Sequence, residues 1–152
     1  MTIYFYKVSD PYGYLSNFSP YGIYLGGLDW PTVEHYYQAQ KFAGSQCEEV
    51  ITLIHSAPTP QEAAALGRDP CRILRPDWEQ TKYNIMREAV LTKFLTHRDI
   101  QALLLATGNE IIVEDSPRDY YWGCGADKTG QNQLGKILMS VRAEIRQHLG
   151  QE

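Results

Sequence analysis

Residues 23–43 read I-Y-L-G-G-L-D-W-P-T-V-E-H-Y-Y-Q-A-Q-K-F-A, and within them the periodicity of the chain changes. Ile23-Tyr24-Leu25 and Leu28-Asp29-Trp30 flank Gly26-Gly27, a pair that supplies the positive φ angles a two-residue hairpin turn needs at low steric cost. After Pro31 the pattern turns helical: Thr32 can cap a helix that runs to about Ala43 and is stopped by Gly44. One strand pair and one helix therefore meet within twenty residues, which predicts a chain of mixed class.

Working outward, Ile3 to Val8 alternates as a short strand, and Ser9 to Ser19 (S-D-P-Y-G-Y-L-S-N-F-S) is built of turn formers. Val50, Ile51 and Ile54 predict a short helix before Pro58. Thr59-Pro60-Gln61-Glu62 is a capping box with Pro at the first helical position, and Gly67 ends that helix. A longer helix is expected from Asp77 towards His97, burying Ile85, Met86, Ala89, Val90 and Phe94, with another from about Asp99 to Thr107. Ile111-Ile112-Val113 reads as a buried strand. Leu134 to Leu149 closes the pattern as an amphipathic helix. The expectation is an α+β fold, one domain over 1–152, in which a small β-sheet with a hairpin packs against several helices and helix exceeds strand.

Composition narrows the function. The 152 residues are 43% hydrophobic and 21% charged, a balance that excludes disordered and collagen-like classes. No apolar run approaches the roughly 18–20 residues of a bilayer span, and the start does not read as a signal peptide, so a cytoplasmic address is expected. Three cysteines, none in a C-x-x-C pair, favour neither disulfides nor a thiolate metal cluster. The histidines have no partners at ligand spacing, so no metal and no cofactor is expected. A net charge of −4 disfavours a long phosphate-tracking groove. The chain also holds 11 Tyr against 4 Phe, an excess suited to a surface that holds a ring-shaped ligand.

Three segments carry candidate chemistry. At about 100° per residue, Glu34, Tyr37, Gln38 and Lys41 share one sector of the first helix and offer a carboxylate, a phenol, an amide and an ammonium in a row; the plain alternative is a solvated face. Glu114 to Gly135 is a long loop between a strand and a helix, with three consecutive aromatics and four glycines; loops of this length between packed elements are usually functional or disordered, and the plain alternative is a tightly folded structural loop. Within it Trp122 and Gly123 are ligand-facing candidates. Gly130 and Asn132 stand at a helix start able to receive a phosphate. In the third segment, Arg75 and Lys82 flank a helix start bearing Trp78, an arrangement suited to an anionic ligand with a flat ring; the alternative is a surface arginine and a core tryptophan. The early loop adds Asn17 and Phe18 as amide and ring contacts.

Several motifs occur together and in order. They are S-N-F at 16–18, W-P-T-x-E-H-Y-Y-Q-A-Q-K-F at 30–42, L-R-x-D-W at 74–78, K-F at 93–94 and L-L-x-A-T at 103–107. The last run is D-x-Y-W-G-x-G, G-x-N-x-L-G and L-M-x-x-R between 119 and 142. In these the chain resembles the NADAR family of YbiA-like N-glycosidases over nearly its whole length. The resemblance implies hydrolysis of the bond between a ribose and an aminated base. It implies two substrate classes: ribosylamino-pyrimidine intermediates of early riboflavin synthesis, and ADP-ribose attached to guanine in nucleic acid. The pattern is that of the bacterial YbiA type, which favours the first. It further implies a catalytic Glu, Trp and Asp, matched here by Glu34, Trp78 and Asp119, and a lysine at the position of Lys41. Lys41, on one face with Glu34, would stabilise charge or capture an opened sugar aldehyde as an imine.

The expected partner is a small ribosylated base or nucleotide. Nucleic acid enters only under the ADP-ribosyl-guanine alternative, and neither a membrane nor an obligate protein partner is expected. A non-catalytic ADP-ribose or nucleotide-binding module is the rival of another class.

Overall fold

The structure, a computed structural model, describes residues 1–150; the last two residues of the expected domain lie outside the described residues. The elements follow the order β1 (Thr2–Phe5), β2 (Ile23–Leu25), β3 (Leu28–Trp30), α1 (Val33–Gln40), α2 (Val50–His55), α3 (Pro60–Gly67), α4 (Trp78–Thr96), α5 (Arg98–Ala106), β4 (Ile111–Glu114) and α6 (Gln133–Gly150). The fold is α+β, with more helix than strand. Among the described residues no helix is long and apolar enough to cross a membrane. The backbone groups into two compact units, one of Met1–Ser19 with Phe94 onward and one of Pro20–Lys93.

In the Pro20–Lys93 unit, β2 and β3 form the expected hairpin, with Ile23 opposite Trp30 and Leu25 opposite Leu28. Gly26 and Gly27 take φ of 62° and 84°, the paired left-handed conformation of a type I′ turn, which an L side chain would disfavour. Helix α1 begins as predicted: the Thr32 side chain accepts a hydrogen bond from the His35 N–H at 3.1 Å. It ends sooner than predicted, at Gln40, because Lys41 to Ala43 tighten into a turn in which the Phe42 N–H donates to the Ala39 carbonyl. Helices α2 and α3 pack on α1 and on each other. The α3 capping box stands as read, with Thr59 accepting from the Glu62 N–H.

In the other unit, β1 and β4 pair in parallel, Thr2 with Ile111 through Phe5 with Glu114, and α6 packs against β4. The expected burial of β4 holds only for Ile112. Ile111 is 56% exposed and Val113 is half-buried, because a strand covered on one face alternates inward and outward residues. Strand β1 stops at Phe5, short of the predicted Val8. Ile137, Leu138, Val141 and Ile145 of α6 are buried, as the period predicts. Arg142, also buried, donates to the Thr107 hydroxyl and to the Glu110 carbonyl, both at 2.9 Å.

Candidate active site

The helix face singled out in α1 is an interior one. Val33 to Ala39 are all buried, which removes the alternative of a solvated face. His35, on the other side, is 1% exposed and bound at both ring nitrogens, Nδ1 to the Thr32 hydroxyl at 2.8 Å and Nε2 to the Ala57 carbonyl at 2.9 Å. Burial lowers its pKa. An imidazole held neutral between a hydroxyl and a carbonyl ties α1 to the chain after α2.

Glu34 is 4% exposed and Gln38 is 1% exposed. The Gln38 amide Nε2 donates to Glu34 Oε2 at 2.6 Å, one turn apart on the helix, the i, i+4 spacing at which side chains meet. The other end of the Gln38 amide, Oε1, has no hydrogen-bond partner. It stands where a Cβ on Gly67 would stand, so α3 can approach α1 at that point only because Gly67 has no side chain. The sequence marks Gly67 only as a helix stop. Its packing role has no local signal, since only the α1–α3 contact reveals it.

Tyr37 continues the face. Its ring meets that of Trp78 at a 5.3 Å centroid separation, tilted by 54°, and both side chains are buried. The Lys41 ammonium lies 5.4 Å from the Tyr37 ring centroid, a cation–π distance, and donates at 3.5 Å to the Gly67 carbonyl. Glu34, Tyr37, Gln38, Lys41 and Trp78 thus form one connected set within this unit. The flanking cations are engaged nearby. Arg75 makes a two-pronged pair with Asp77, at 2.6 and 3.1 Å, which holds the Asp77 carboxyl below its usual range through that hydrogen bond. Its backbone N–H donates to the Lys41 carbonyl at 2.8 Å. Lys82 pairs with Glu79 at 2.9 Å.

The second candidate segment lies in the other unit. Asp119 Oδ1 accepts from the backbone N–H groups of Tyr121 at 3.0 Å and Trp122 at 2.7 Å. The Ser116 hydroxyl accepts from the Asp119 N–H. One carboxylate oxygen of Asp119 therefore shapes the loop. Trp122 is buried and sits edge-on to Tyr121, with centroids 4.7 Å apart. Gly123 and Gly130 pack backbone on backbone, and a Cβ at Gly130 would come 2.7 Å from the Cys124 carbonyl carbon. Asn17 is buried, and the Phe18 N–H donates to the Ser16 hydroxyl.

The expectation of an open phosphate cradle at the start of α6 is corrected by these bonds. The Gln133 and Leu134 N–H groups donate to the Tyr121 and Trp122 carbonyls, and that of Lys136 to the Asn132 carbonyl. The Asn132 side chain is occupied as well: Oδ1 accepts from the Glu114 N–H and Nδ2 donates to the Ile112 carbonyl, both at 2.9 Å. The loop thereby takes up the Gln133 and Leu134 donors, two of those that a helix start would otherwise present to an anion.

Residues 4–146 match the NADAR domain. The chain is 65% identical over 146 residues to an N-glycosidase of Nostoc punctiforme, spanning 96% of this chain and 94% of that protein. It is 44% identical over 141 residues to N-glycosidase YbiA of Escherichia coli strain K12, at 93% and 86% coverage. It is also 42% identical to the chloroplastic riboflavin biosynthesis protein PYRR of Zea mays, of whose length it spans 25%. Among solved structures, the NMR structure of E. coli YbiA superposes with a TM-score of 0.90 at 41% identity, covering 99% of this chain and 88% of that one.

Proposed function

From the premise that this chain belongs to the NADAR domain family, we propose that it hydrolyses the C–N bond between a ribose phosphate and an aminated pyrimidine of early riboflavin synthesis. It is an N-glycosidase, a hydrolase, like the bacterial relatives of that name. The riboflavin assignment draws on the relatives named as riboflavin biosynthesis proteins, from Zea mays and Vibrio vulnificus. The observation that carries the reading is the buried Glu34 carboxylate, hydrogen-bonded by Gln38 at 2.6 Å on a helix face that ends in Lys41 and packs the Tyr37 ring against Trp78.

The chemistry asks for such a group. As the C–N bond breaks, its electrons leave with nitrogen and C1 of the ribose becomes oxocarbenium-like, so a carboxylate near C1 lowers the barrier. Water adds to C1 and gives up a proton, and the departing nitrogen takes one, which leaves the free base and the ribose phosphate. Glu34 and Asp119 are the proposed acid–base carboxylates, Trp78 the ring that meets the base, and Lys41 a source of positive charge.

Glu34→Gln should lower kcat by about 10²–10⁴ while Kd for the substrate barely changes, since the loss falls on the transition state. The assay is release of free base from a ribosylaminouracil phosphate, run beside ADP-ribosylated guanosine. Turnover of the second substrate alone would reassign the base. Release from neither would turn the chain into a binding module.

A further inference from the structure

The Gln38–Glu34 contact has no part in the bond cleavage just described. Gln38 has the chemistry of a substrate contact, yet its amide is committed: Nε2 donates to Glu34, and Oε1 faces the bare backbone of Gly67. The orientation of the amide follows from counting buried groups. With Nε2 on Glu34, one oxygen is left against a Cα–H, a weak donor. With the amide reversed, the NH2 would face Gly67 without an acceptor, and Glu34 would need a proton to make the remaining bond. An N–H donor this short on a carboxylate oxygen favours the ionised form.

We infer that Gln38 is a positioning residue, seated by Gly67, which holds Glu34 as an ionised carboxylate and thereby makes Glu34 the base or charge-stabilising group and not the proton donor to the departing nitrogen. This deepens the proposed function and rests on it. The titratable groups on the elements packed against α1 are Asp29 of β3, His55 of α2 and Glu62 of α3. Asp29 and Glu62 are exposed, and His55 Nε2 bonds the Asp29 carbonyl. From α4, Glu88 raises the Tyr36 phenol pKa, after burial as the larger cause, while Arg75 opposes it. On α1 itself His35 is occupied at both nitrogens, and Lys41 lies over Tyr37.

The test is the pH profile of kcat/KM on a ribosylaminouracil phosphate, in the full-length protein, for wild type and three variants. Gln38→Met keeps the length of the side chain and removes the donor. It should move the acidic limb upward by about one to two pH units, the size expected for one lost hydrogen bond to a charged group, with kcat lowered more than KM is raised. Gly67→Ala leaves the amide chemically intact but puts a methyl group on Oε1, and should shift the same limb in the same direction. Gln38→Glu, whose protonated carboxyl can donate in place of the amide, should bring the limb back down.

An acidic limb that stays in place while KM alone rises would make Gln38 a substrate contact and overturn the inference. A shift of the alkaline limb instead would make Glu34 the proton donor and overturn it equally. Should a variant fail to fold, carbon-13 titration of the wild-type carboxyls, with Glu34→Gln as the assignment blank, reads the ionisation of Glu34 directly; a carboxyl still protonated at the pH of maximal activity rejects the assignment. Loss of glycosidase activity in wild type itself would refute the proposed function and not this contact.

Discussion

Lys93 is 1% exposed, on a helix otherwise buried through Met86, Ala89, Val90 and Phe94. Desolvation lowers its pKa from 10.5 to about 7. Because the folded pKa lies below the unfolded one, the unfolded chain binds more protons between pH 7 and pH 10.5. Stability therefore climbs as pH rises through that window and falls as pH drops towards 7, with a slope of at most about 1.4 kcal/mol per pH unit from this residue. Lys93→Met should abolish that climb, so that urea midpoints of the variant measured at about pH 7 and about pH 9.5 lie closer together than those of wild type. An equal pH dependence in both proteins would refute the assignment. At this scale the sequence was informative about residue type and silent about surroundings: the α1 periodicity aligned Glu34 with Gln38, but nothing local distinguishes a solvated face from a buried one. Asn132 was legible as a helix-start residue, whereas the bonds of its side chain to β4 depend on a strand some twenty positions away.

Among the elements, those with their start and stop written locally were read closest to their true limits. The hairpin matches residue for residue, and α3 keeps its Thr59 cap and Pro60 start. Helix α1 ends three residues before the expected Ala43 because Phe42 and Ala43 continue the apolar period into a turn. In β4 a run of three aliphatics predicts burial throughout, because such a run does not say how many faces are covered. The contact of α6 with β4 gives a test of its own. A Cβ on Gly135 would overlap the Ile112 carbonyl and the Asn132 side chain, and backbone cannot yield as a flexible side chain can. Gly135→Ala should cost about 1–3 kcal/mol, read as a lower urea midpoint with α6 still helical by circular dichroism. A midpoint equal to wild type would mean that α6 can ride away from the strand without loss.

For the whole molecule, the parallel pairing of β1 with β4 was invisible, since more than a hundred residues separate the partners and parallel strands leave no turn signature between them. Charge is the property that transfers from composition without a fold. A net charge of −4 works against association with a polyanion whose affinity rests on phosphate contacts. Duplex DNA added in excess at physiological salt should leave the glycosidase rate on a mononucleotide substrate unchanged, and potent competition by DNA would point to a local basic patch that the total conceals. The excess of tyrosine resolves into different duties: Tyr37 is buried against Trp78, whereas Tyr4 and Tyr6 are 49% and 42% exposed on and just beyond β1.

The Asn132 side chain meets β4 as a neighbouring peptide group would, accepting from one residue and donating to the carbonyl two positions before it. Those two groups lie on the same margin of the strand, opposite the one that β1 occupies. An open strand margin is a template on which a second chain can add its own strand, and here an amide from the loop occupies it. Asn132 thus guards that margin against edge-to-edge aggregation. Asn132→Ala should raise light scattering on prolonged incubation even under conditions where the protein remains folded, whereas Asn132→Asp, which keeps the acceptor and loses the donor, should fall between wild type and Asn132→Ala.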